Sequence, residues 1–327
     1  MSGRKLNGRI IFFRVAEPFR LTCLLFIALS AGLFATPSDS SVTASQLEQA
    51  RQALARGDRL QVIQFATQAL KSGENADLRN LLGKAYAQSG ERAQANDELR
   101  AAIRLQPNNE GFRFDLAQFL LRSGDFATAT TVLQDALLKW PKSAQIQLAL
   151  GVSYYCTVRY DDAVRAFLRT MELAPDVEQP YLFLGKMLSH ATLHLKEIAN
   201  ACAASERVSP ANPYAPLLHA EVLLAQPRTT GESDKTDAAA TRLLEKSIAL
   251  KGDSAEAYFV LGSLMDTDGN YSKAVSILEK CVQLKPDDPV ARYRLGRLYA
   301  RLGKRNQADA QFAEQAKLKL ENHRGQQ

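Results

Sequence analysis

The sequence predicts an all-α chain, a solenoid of about eight helix-turn-helix repeats, and three regularities carry that prediction. Gly83, Ala117, Gly151 and Gly185 stand at a constant interval of 34 residues. Pro107, Pro141 and Pro175 keep the same interval. Between these markers, apolar and small residues recur at helical spacing. A fixed period of this length means one two-helix unit copied along the chain, each copy too small to bury its own apolar face and so stacked on its neighbours.

One copy spelled out is RNLLGKAYAQSGERAQANDELRAAIRLQP, residues 79–107. Leu82, Gly83 and Tyr86 share one helix face, Gly90 marks the turn, and Ala95, Leu99 and Ala102 share a face of the second helix. Gly83 and Ala95 are small because paired helices approach closely only where a side chain is missing. Pro107 closes the unit, since proline lacks the amide hydrogen and clashes with the preceding turn.

These residues resemble the tetratricopeptide repeat family, whose pattern runs large residue, Leu-Gly, Tyr, Ala, aromatic or Leu, Ala, Pro. The next copy has Leu116, Ala117, Leu120, Gly124, Ala129, Leu133, Ala136 and Pro141, and the one after it Leu150, Gly151, Tyr154, Ala163, Phe167 and Pro175. Later copies show Tyr181, Leu184, Gly185 and Pro210, then Tyr258, Leu261, Gly262, Gly269, Ala274, Leu278, Cys281 and Pro286, then Leu295, Gly296, Tyr299, Gly303, Ala308 and Phe312. The resemblance covers residues 43–322, as repeats at 43–75, 76–109, 110–143, 144–177, 178–212, 213–254, 255–288 and 289–322, with a tail at 323–327. It implies a right-handed superhelix. The first copy keeps Leu47, Gly57 and Ala69 but lacks the Leu-Gly signature and the closing proline, as a terminal cap can. The polar run 226–237, QPRTTGESDKTD, reads as a lengthened turn between the two helices of the sixth repeat.

Residues 1–36 form a separate segment. Arg4, Lys5, Arg9, Arg14 and Arg20 against Glu17 place +4 of the formal +6 there, so the array keeps +2 and the basic balance is no sign of nucleic acid. The apolar run Leu21–Ala35 follows, fifteen residues, then the polar linker 37–42. Fifteen helical residues span about 22 Å, less than the hydrocarbon thickness of about 30 Å, which favours a secretory signal. No clean small-x-small cleavage site is visible, so an uncleaved membrane anchor stays open. Either way the repeats are expected to be exported, and the family resemblance implies the bacterial periplasm, free or anchored to the inner membrane.

The chemistry of an enzyme is not visible. Cys23 begins the apolar run, where a lipoprotein cysteine would follow it, and Cys156, Cys202 and Cys281 lie on separate repeats. His190 and His194 are four apart, with Cys202 and His219 following, but no second tight ligand pair exists, so no metal and no cofactor is expected. Phosphate loops, nucleophile elbows and zinc-protease helices are absent from the sequence. Arg56-Gly57-Asp58 is read as a turn and not as an adhesion tripeptide, because Gly57 aligns with Gly90 and Gly124.

Function is therefore expected on the surface, as a non-enzymatic scaffold binding a peptide or partner protein. The alternative is a recognition or adaptor subunit of an enzyme whose catalytic chain is separate. The resemblance implies that first helices line a concave groove. The residues so placed are Asn80, Lys84, Gln88, Phe114, Gln118, Arg122, Tyr155, Lys186, Phe259, Tyr293, Arg297 and Arg301, a mixture of amide, aromatic and basic groups. Cations pair with carboxylates and exposed aromatics anchor apolar groups, so the expected partner is acidic and hydrophobic. The clamp that binds chaperone carboxyl termini in this family is absent, because its positions read Asn80 and Lys84, Phe114 and Gln118, Leu148 and Val152.

Overall fold

The computed structural model describes residues 44–227 and 233–324; the segment 1–36 and linker 37–42, and with them the signal or anchor, lie outside the described residues. The fold is an all-α repeat solenoid, with sixteen α-helices and no strand among the described residues. No helix among them is long and apolar enough to cross a membrane. The chain divides into two units between Leu173 and Ala174.

The first unit holds four helical hairpins: α1 (Ala44–Ala55) with α2 (Arg59–Leu70), α3 (Ala76–Ser89) with α4 (Arg92–Leu105), α5 (Glu110–Ser123) with α6 (Phe126–Lys139), and α7 (Ala144–Cys156) with α8 (Tyr160–Leu173). Each hairpin closes over a missing side chain. A Cβ built on Gly83 would lie 2.7 Å from Leu99 Cγ, and one on Gly151 would lie 2.6 Å from Phe167 Cε1. Leu99 and Phe167 fill the space that the glycine leaves, and both are fully buried. The small residues that set the period are thus the contact points of the paired helices.

Short polar residues start the first helices, in step with the period. Asn75, Asn109 and Ser143 accept the amide hydrogens of Leu78, Phe112 and Ile146 at 3.0, 3.3 and 3.3 Å. Each satisfies one of the donors a helix leaves open at its start. The turns inside the hairpins share one bond pattern: Glu91 N donates to Tyr86 O at 3.0 Å, Asp125 N to Leu120 O at 3.0 Å and Arg159 N to Tyr154 O at 2.9 Å. This six-to-one closure needs a left-handed residue, which Gly90 and Gly124 supply at φ 83° and 79°.

Val158 holds the same position in the fourth hairpin at φ 63°, the one non-glycine residue with positive φ among those described. A β-branched side chain is crowded there, and Val158 is exposed, so it loses nothing by shrinking. Val158→Gly is expected to raise stability by about 1 kcal/mol, measured by urea denaturation against the parent chain. An unchanged or lower midpoint would contradict the strain.

The second unit contains α9 (Gln179–Met187), α10 (Leu195–Val208), α11 (Tyr214–Ala225), α12 (Ser233–Leu250), α13 (Ala255–Thr267), α14 (Tyr271–Leu284), α15 (Pro289–Arg301) and α16 (Arg305–Arg324). Its last two hairpins repeat the notch: a Cβ on Gly262 would meet Leu278 Cγ at 2.7 Å and one on Gly296 would meet Phe312 Cε1 at 2.7 Å. Ser254 and Asp288 cap α13 and α15. The core runs from Leu217 through Leu244, Leu261, Leu278 and Leu295 to Ala308.

The fifth repeat departs from this plan. α9 is short and gives way to two single 3-10 turns, Leu188–His190 and Thr192–His194. α10 then packs chiefly on α11, and the space over Gly185 is taken by the Glu221 carboxylate of α11, 2.5 Å from where a Cβ would stand. The polar run expected as a lengthened turn is also shorter on its far side, because α12 begins at Ser233 and takes in Ser233–Asp237; residues 228–232 lie outside the described residues.

An ion cluster ties α10, α11 and α12 together. Glu206 accepts from His219 Nδ1 at 2.9 Å and from Lys246 Nζ at 2.7 Å. Burial raises the Glu206 pKa, but the two hydrogen bonds and the charges of Lys246 and His219 outweigh it and hold it below its ordinary value of 4.5. A depressed carboxylate contributes stability above its unfolded pKa that is lost as pH falls through the folded one. Glu206→Gln is therefore expected to lower the melting temperature at neutral pH and to converge with the parent below about pH 4.5. A gap between the two that persists into acid would contradict the role of the charge.

Candidate functional site

The face built by the first helices is where the sequence places binding residues, and successive first helices do lie side by side. In the first unit α1 packs on α3, α3 on α5 and α5 on α7; in the second unit α13 packs on α15. Side chains between two such helices are drawn into contact, whereas those over the seam reach solvent.

Asn80 and Phe114 fall in the seam, 7% and 9% exposed. Asn80 Nδ2 donates to Asp115 Oδ2 at 2.6 Å, and its Oδ1 is buried without a hydrogen-bond partner. Lys84 Nζ reaches both oxygens of the same carboxylate at 3.2 and 3.3 Å. Sequence reasoning missed Asp115, which sits one residue beyond the expected position on α5. Lys84 is therefore not the unclaimed cation that the sequence suggested. Its side chain is one-third exposed, so it can still meet a second carboxylate.

The remaining residues are more accessible. Gln88 and Arg122 are exposed near the ends of α3 and α5, and the Gln88 carbonyl accepts from Arg59 at 2.8 Å. Gln118 and Tyr155 are half-buried on α5 and α7, the latter edge-on to Tyr160 with ring centroids 6.0 Å apart. Lys186 is exposed on α9.

The second unit gathers aromatic and basic groups on α13 and α15. Phe259 of α13 is half-buried beneath the guanidinium of Arg294, 5.3 Å from its ring centroid. Tyr293 is 46% exposed, with Arg297 over its ring at 6.0 Å and Phe312 6.0 Å to its side. Arg301 lies 4.6 Å over Tyr271 and 3.5 Å from Asp266. Sequence reasoning named Phe259, Tyr293, Arg297 and Arg301 but missed Arg294 and Asp266, because positions were taken at steps of four and both fall one residue off that ladder.

The paired histidines do not form a ligand pair on one helix. His190 and His194 lie in separate 3-10 turns, and His194 Nδ1 is 3.0 Å from Glu197. Cys202 is fully buried, and burial pushes its thiol pKa far up, with Glu206 and Glu221 adding to the effect, so thiolate chemistry is suppressed. In Arg56-Gly57-Asp58, Gly57 is left-handed at φ 74° and Asp58 caps α2 through Gln61 N at 3.1 Å, a helix boundary.

A family model for the tetratricopeptide repeat matches residues 88–151 and 267–324. Among solved structures, yeast Tom70 is 18% identical with a TM-score of 0.54, over 91% of this chain and 65% of that one. A tetratricopeptide repeat protein from Parabacteroides merdae is 16% identical with a TM-score of 0.50, over 78% of this chain and 97% of its own. The chain spans 52% of the chain it matches in the Cut9-Hcn1 hetero-tetramer, at 16% identity and a TM-score of 0.49. At such identities the likeness concerns the fold. No curated protein sequence matches the chain.

Proposed function

We propose that the chain, whose residues 88–151 and 267–324 match the tetratricopeptide repeat model, is a non-enzymatic interaction scaffold that grips an acidic, partly hydrophobic segment of a partner protein on its first helices. The observation that carries this reading is the clustering of Phe259, Tyr293, Arg294, Arg297 and Arg301 on α13 and α15, where aromatic surface and positive charge are offered together. Interfaces draw their binding energy from such anchors, and arginine forks suit carboxylates. The proposal includes export, supported by the basic stretch and apolar run before Thr36. N-terminal sequencing of the mature protein tests cleavage of that segment.

The binding face is tested by reversing charge at Lys84, Arg122, Arg297 and Arg301 together in the full chain and crosslinking each form in an envelope extract. Partners captured by the parent chain are expected to be lost by the variant while its helical content and melting temperature hold. The same partners recovered at the same yield would sink the assignment of this face.

A further inference from the structure

α15 reads PVARYRLGRLYAR, with four arginines and no acidic residue. Three of the four cations have evident occupations. Arg292 donates to Pro286 O at 2.7 Å and Gln311 Oε1 at 3.1 Å, Arg301 faces Asp266, and Arg297 stands exposed over Tyr293. Arg294 differs from them. It is half-buried over the Phe259 ring, and among the described residues no carboxylate lies within ion-pair distance of it. Burial lowers its pKa, Asp266 opposes that, and Arg297 adds to it. A guanidinium so placed has given up part of its hydration and received a ring face in return, while among the described residues its fork of donors meets no carboxylate.

We propose that Arg294 is the specificity-determining cation of the scaffold: it takes a carboxylate of an acidic partner segment bidentately, while an apolar or aromatic neighbour of that carboxylate rests between Phe259 and Tyr293. Charge complementarity selects the occupant, since Asp266, the carboxylate whose charge acts on Arg294, is paired with Arg301. Tyr293 is held by Phe312 and offers a pre-set aromatic surface beside the cation. An anionic membrane would meet the exposed tips of Arg297 and Arg301 first and would have no use for a recessed guanidinium. The inference rests on the scaffold reading and narrows it to one residue and one ligand group.

Binding of the full chain to a labelled random copolymer of glutamate and tyrosine, followed by fluorescence anisotropy at low salt, tests it. Polyglutamate of equal length and phosphatidylglycerol vesicles are run in parallel. The copolymer is expected to bind more tightly than polyglutamate; Arg294→Gln weakens it by about tenfold or more, Arg294→Lys by an intermediate amount, and Lys280→Gln, an exposed cation of the second helix α14 bonded to Gln283, by less than about twofold. Melting temperatures of the two Arg294 variants, and the charge kept by the lysine, separate a binding loss from misfolding. Equal affinity of parent and Arg294→Gln overturns the proposal, as does absence of copolymer binding, or binding to vesicles alone. If the copolymer fails while captured partners still depend on the four-residue charge reversal, the scaffold reading stands and the role of Arg294 falls.

Discussion

Phe167→Ala is expected to destabilise the first unit by about 3–5 kcal/mol, read as a shift in the urea midpoint of the full chain. Phe167 is fully buried on α8, and its ring occupies the notch left by Gly151 on α7. Truncation removes the transfer energy of the ring and leaves a cavity between α7 and α8 that the paired helices close only in part. Repeats contribute stability through themselves and their neighbours, so one failed hairpin weakens the α5–α6 contact with α7 as well. A shift below about 1 kcal/mol would mean that the hairpin is not held by this contact.

The second large effect comes from filling the notch from the other side. Gly151→Ala places a Cβ 2.6 Å from Phe167 Cε1 and 2.7 Å from Cδ1, and overpacking of this kind costs about 1–3 kcal/mol. The two substitutions are coupled. Phe167→Leu in the Gly151→Ala background is expected to recover part of the loss, because the branched side chain can withdraw where a ring in a fixed rotamer cannot. Gly185→Ala supplies the contrast: its neighbour is the end of the flexible Glu221 side chain, so the loss is expected to be smaller than at Gly151. Equal losses at the two glycines would contradict the notch account.

Much of this was legible in the chain because the period acts on residue types with narrow uses. Gly83, Gly151, Gly262 and Gly296 mark helix contacts, and each lies opposite a large residue of its own second helix. The caps at Asn75, Asn109 and Ser143, and again at Ser254 and Asp288, keep the 34-residue interval, but their role shows only once the helix start is fixed to the residue. The fifth repeat misleads for a physical reason. Leu184-Gly185 satisfies the local pattern, yet which helix covers that glycine depends on α10 and α11, and no local pattern encodes the choice.

The candidate surface was legible in its types and blurred in its register. Steps of four from a repeat origin found Lys84, Tyr293 and Arg297 and passed over Asp115 and Arg294. Adjacent positions on a helix lie about 100° apart, and both seam and rim fall within that arc. A charge between two first helices finds a protein partner, as Lys84 finds Asp115.

Hydrogen exchange of the full chain with and without a crosslink-validated partner tests the central claim most directly, since it reports which helices the partner covers. Slowed exchange confined to the first helices, α3 and α5 or α13 and α15, is the predicted result. Protection confined to the second helices, α4, α6, α14 and α16, would contradict it.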